Sequence, residues 1–155
     1  MVKEIVRRSA ADNVYLHKDF HGALSTGLAY LEDRFRAAAV RDYLRQFALA
    51  FYAPLTLAIN ERGLVALREH LERIYALEGG QICITCAEDE MLLEVEACPA
   101  VMHMQQQRYA VASLFYETSK TVYAAICEDT PFVSEWLRYD EKSGRSAVRF
   151  CRRQP

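Results

Sequence analysis

The glycine pair Gly79-Gly80 divides the chain into two stretches with different hydrophobic periods, and this switch constrains the fold more than any other feature. Before it, apolar residues recur every three or four positions; after it, they alternate. Leu16, Phe20, Leu24, Leu28, Leu31 and Phe35 lay one stripe along a first helix starting near Tyr15. A second helix repeats the pattern through Val40, Tyr43, Leu44, Phe47 and Phe51, until Pro54 ends or kinks it. The short connection near Arg36 predicts that these two are antiparallel neighbours. Asn60 is expected to cap a third helix over 61–77, with Leu64, Leu67, Leu71 and Ile74 as its stripe and the glycines as its stop.

Beyond the glycines, Ile82, Ile84 and Cys86 share one face of a strand over 81–88, and Leu93, Val95 and Ala97 form the core face of a return strand over 91–97. A helical period returns over 108–126 and is broken at Cys127-Glu128-Asp129-Thr130-Pro131. Two further strands, 132–139 and 147–152, flank a turn that ends at Gly144. The order ααα-ββ-α-ββ predicts one α+β domain: three N-terminal helices packed on a four-stranded antiparallel sheet, with residues 1–13 as a polar lead-in. Outer strands pairing across a two-fold would make a homodimer.

At 155 residues, 52% of them hydrophobic, the chain is long enough to bury one core. A net charge of −2 with scattered basic residues argues against a nucleic-acid partner. No apolar run approaches the roughly 20 residues of a membrane span, and the first residues lack a signal-like apolar core, so a cytoplasmic location without a membrane partner is expected. Five cysteines, an odd number in a chain that needs no staples, point to free thiols.

The chemistry that these residues offer concentrates where the second strand must stop. Pro99 has no N–H for a ladder, and Cys98 before it lies near His103, with Glu94 and Glu96 on the same nominal strand face. A cysteine beside a histidine is a nucleophile and base in waiting, with Glu96 as a further base; the alternative is a small residue at a sheet end and a Met-rich loop packing into the core. His17 and His21 are one helical turn apart and, with Cys98, would supply soft ligands for zinc; the alternative is an amphipathic flank. Cys83 and Cys86 match a C-x-x-C spacing, but on a strand they face opposite sides and read as ordinary buried cysteines. Nine tyrosines suit a helix–sheet boundary or the lining of a ligand pocket. His70, between Glu69 and Glu72, is expected on the solvated face of the third helix.

Leu93-Glu94-Val95-Glu96-Ala97-Cys98-Pro99, a helix closing on Cys127-Glu128-Asp129, a Gly144 turn and Arg149-Phe150-x-Arg152-Arg153 together resemble the L-2-amino-thiazoline-4-carboxylic acid hydrolase-like family. More distantly, they are similar to the 4-vinyl reductase type of small-molecule-binding domain. The resemblance spans mainly residues 90–153. It implies hydrolysis of a small cyclic or amide-like substrate by a Cys/His or metal-bound-water site, or else a non-catalytic sensor domain for a small molecule. The families tend to carry Cys-x-Phe in the closing strand. Here Ala147 or Val148 stands there and Cys151 follows Phe150, so the implied hydrolase chemistry rests on Cys98 alone. A purely structural or oligomerisation unit is the third reading.

Overall fold

A computed structural model describes residues 18–154. His17 and the expected lead-in lie outside the described residues. Nine elements follow in order: α1 (Phe20–Phe51), α2 (Ala53–Arg62), α3 (Leu64–Glu78), β1 (Gln81–Cys86), β2 (Glu90–Ala97), α4 (Pro99–Gln106), α5 (Glu117–Ile126), β3 (Phe132–Tyr139) and β4 (Ser146–Arg152). The four strands form one antiparallel sheet in the order β1-β2-β4-β3, so the two hairpins join through β2 and β4, with Leu93 opposite Val148. The fold is α+β with helices leading into an antiparallel sheet, as the change of period predicts.

The sheet has one dry face and one wet face. Met91, Leu93 and Val95 of β2, Val148 and Phe150 of β4 and Phe132 of β3 are buried toward the helices. Alternation sends their neighbours outward, where they form a charged ladder. Arg138 meets Glu94 at 2.5 Å, Arg149 meets Glu90 at 2.5 Å and Glu135 at 3.5 Å, and Arg145 meets Glu96 at 3.4 Å. Such exposed pairs contribute little to stability, but they keep this face in water. On the other side α1 packs against α5, and the buried Glu117 accepts hydrogen bonds from Arg41 at 2.8 Å and Thr121 at 2.6 Å.

The helices depart from expectation at identifiable residues. α1 ends at Phe51, shortly before Pro54, as expected, but Pro54 then sits in the first turn of a further helix, α2, because that turn tolerates a residue without an N–H. Asn60 caps nothing: its amide donates to the carbonyls of Thr56 at 3.1 Å and Asp129 at 2.9 Å. The break falls at Gly63 instead, with φ 70° and ψ −157°, and α3 begins at Leu64. Residues 99–106, expected as a loop, form α4, since Pro99 again preorganises a first turn. The helix expected over 108–126 is shorter, starting at Glu117 after Arg108 takes a φ of 59°.

α1 itself breaks where two helices were expected to meet. Arg36 adopts φ 72° and ψ 174°, a region that is essentially reserved for glycine because a Cβ crowds the backbone there. Gly63 makes a similar break without that strain. Replacing Arg36 with glycine relieves the clash and is expected to raise stability by about 1 kcal/mol after the extra chain entropy is subtracted. Urea denaturation of Arg36→Gly checks this; an unchanged or lower midpoint would show that the strain is not there.

Candidate functional site

Three helices and the end of the second strand fail to close completely and leave a cavity of about 390 Å³. Leu44, Phe47 and Phe51 of α1 line it, with Leu71, Tyr75 and Glu78 of α3, Cys98 and Pro99 at the start of α4, and Ser119, Val122 and Tyr123 of α5. The lining is mostly aliphatic and aromatic. A larger depression of about 570 Å³ lies at the sheet's end, but Asp89, Glu90, Arg149 and Arg152 border it and already pair with each other.

The rim explains why the space stays open. Tyr43, Phe47 and Phe51 recur every four residues and were expected in the core, yet they are 47%, 41% and 64% exposed while Val40, Leu44 and Ala48 take the buried stripe. Phe47 stacks on Phe51 at 5.2 Å between ring centroids, and Tyr52 meets Phe51 edge-on at 5.0 Å. His70 then abuts Tyr52 at 5.6 Å. It is half-buried in the cavity lining instead of solvated, because the turn of α3 that carries it faces the end of α1. Burial first, and the neighbouring Arg73 second, hold its imidazole below the ordinary value and so favour the neutral ring.

Polar groups gather at the inner wall. His21 Nε2 lies 3.1 Å from Glu78 Oε2, tying the start of α1 to the end of α3. Tyr123 interacts with Tyr75 and Ser119, and burial pushes its phenol up to about 12. Tyr75 is likewise held well above the usual phenol value by burial. Both remain neutral donors at physiological pH.

Cys98 is part of this wall, and the close approach of two glycines holds it there. A Cβ on Gly144, which has a φ of 67°, would fall 2.4 Å from Cys98 Cβ, and one on Gly80 would fall 2.7 Å from Pro99 Cγ. The Cys98 N–H donates to Ser143 O at 3.0 Å, so the turn between β3 and β4 supports the cysteine from behind. Burial raises the Cys98 thiol more than the amides of Val101 and Ala100 lower it, so the group rests as a thiol.

The residues singled out from sequence separate into two groups. Cys98 and His21 line the same cavity. His103 is elsewhere: its Nε2 is 3.0 Å from Asp19 Oδ1, beside the Tyr109 hydroxyl, which donates to the same oxygen at 3.3 Å. Glu96 and Glu94 lie on the wet face with Arg145 and Arg138. The expected trio of Cys98, His103 and Glu96 is therefore not gathered around one point. As a possible zinc site, His17 lies outside the described residues, and among the described residues no group of three or more His, Cys, Asp or Glu side chains is placed to hold a metal ion. Cys83 is exposed and not buried as expected, because its face of β1 is the outer one, while Cys86 packs against the core from the opposite face, as the strand period requires.

Glu78 was missed, although a signal was present. A carboxylate at the last position of a helix faces the negative end of the helix dipole, and α3 has no basic residue in its last turn. A residue that breaks a local rule in this way is a candidate for function.

No known protein-family model matches the chain, and a search of curated proteins yields no match either. Among the described residues no helix is long and apolar enough to cross a membrane.

Two outcomes test this geometry. Gly144→Ala combines a positive φ with a collision against Cys98, so a loss of about 2 kcal/mol is expected in urea denaturation; a loss below about 0.5 kcal/mol would mean that the turn does not press on the cysteine. Tyr123 and the buried Cys127 both titrate near 12 in the folded protein. Unfolded, they ionise near about 10 and 8.5, so stability is retained below about pH 8.5 and falls as pH rises toward 12. Denaturation midpoints at pH 8 and 10.5 should show this fall, with a smaller one in Tyr123→Phe.

Proposed function

We propose that this chain is a small-molecule-binding domain whose ligand is apolar along most of its length and occupies the cavity between α1, α3 and α5. The observation that carries the reading is the cavity itself. Its 390 Å³ lies within the range of about 300–1,000 Å³ typical of small-molecule sites, and a few convergent polar groups interrupt an aromatic and aliphatic lining. Its described lining includes no lysine or arginine, which disfavours an anionic ligand.

Hydrolysis at Cys98 is the second reading, and one observation favours it: the first amides of α4 act on the sulfur in the direction of the thiolate. The binding reading is stronger because burial outweighs those amides and His103 is engaged with Asp19. The family resemblance is compatible with both.

Thermal unfolding with 4-phenylbutanol, an uncharged apolar probe, tests the proposal. At about a hundredfold over Kd a bound probe stabilises by about 2.7 kcal/mol, and Ser119→Leu, which intrudes on the cavity, should abolish the shift. No shift with wild-type protein at probe saturation would refute it. Turnover of a thiazoline or cyclic amide that vanishes in Cys98→Ala would instead favour the hydrolase.

A further inference from the structure

We propose that the ligand of this cavity carries an uncharged carbonyl at its inner end, received by the hydroxyls of Tyr75, Ser119 and Tyr123. The inference rests on the binding reading above and adds the chemical class of the ligand's polar group.

Ser119 and Tyr123 are four residues apart on α5, so they lie one above the other on the face that borders the cavity. Tyr75 reaches the same place from α3. Both phenol rings are packed from behind. Tyr123 meets Phe150 of the sheet edge-on, with 5.6 Å between ring centroids, and a Cβ on Gly80 would fall 2.7 Å from Tyr75 Cδ1. The hydroxyls of Tyr75 and Ser119 both interact with that of Tyr123. Three hydroxyls carry three protons and these two contacts use at most two of them, so a third can serve a ligand oxygen.

The donors are neutral. Burial holds the titration of both phenols well above physiological pH, so each keeps its proton. A phenol donates more strongly than it accepts, because its ring draws on the oxygen lone pair, and a carbonyl only accepts. The match therefore favours a carbonyl over an alcohol of the same shape. A ligand carboxylate would bring a full charge to a lining in which no lysine or arginine is described. Tyr75, Cys98 and Ser119 also border a recess of about 20 Å³, room for one oxygen-sized group, which keeps the polar end small. The apolar body of the ligand then lies toward Phe47, Phe51 and Leu71.

Calorimetry and infrared spectroscopy with 4-phenyl-2-butanone, 4-phenyl-2-butanol and butylbenzene test the proposal. The ketone is expected to bind about threefold more tightly than the alcohol, and its bound C=O stretch should lie below the value in hexane, since hydrogen bonding weakens the bond. In the double variant Tyr75→Phe/Tyr123→Phe the affinity for the ketone relative to butylbenzene should fall about tenfold, and the stretch should rise. A ketone that binds no better than the alcohol, or with a hexane-like stretch, would overturn this inference and leave the binding reading intact. So would an unchanged ratio in the folded variant. Failure of all three probes to bind would refute both. If the double variant does not fold, the ranking and the stretch in wild-type protein decide.

Discussion

The arrangement at Cys98-Pro99 is the constraint on which the rest of the structure depends. Pro99 cannot extend the ladder of β2 and can begin a helix, so the chain leaves the sheet and enters α4 within one residue. That turn is possible only because two glycines, Gly80 and Gly144, leave room for it where a Cβ would collide. One of them starts the first hairpin and the other closes the second. The junction thereby joins both hairpins to the helical layer and fixes one wall of the cavity.

The opposite wall has a different origin. α1 could have presented its aromatic stripe to the core, but Val40, Leu44 and Ala48 are the smaller side chains and allow α5 to approach. Arg41 and Glu117 hold the two helices in that rotation. Tyr43, Phe47 and Phe51 are left at the border of a space they are too large and stiff to fill. An apolar surface held open in this way is costly to leave in water.

At the wall containing Cys98, the balance of local effects opposes formation of a thiolate. A nucleophilic thiol needs a neighbour that stabilises its anion, and here the larger effect is burial, which opposes ionisation. Histidine His103, close in sequence, is turned toward Asp19 because α4 is a helix and not the loop expected there. His21, distant in sequence, is brought onto the same wall as the thiol.

Much of the architecture was legible from local pattern. The change of period at Gly79-Gly80, the alternation in both hairpins and the opposed faces of Cys83 and Cys86 follow from backbone geometry that each residue carries with it. Glu78 could have been noticed by its conflict with the dipole of α3. What the sequence could not determine by itself was which of two apolar stripes on α1 is buried, that His103 turns away while His21 turns in, and that helices apolar on one side leave a cavity instead of a filled core. Those outcomes depend on rotations and separations between elements distant in the chain. Tertiary packing alone decides them, because a helix's period specifies a face but not the neighbour that face will meet.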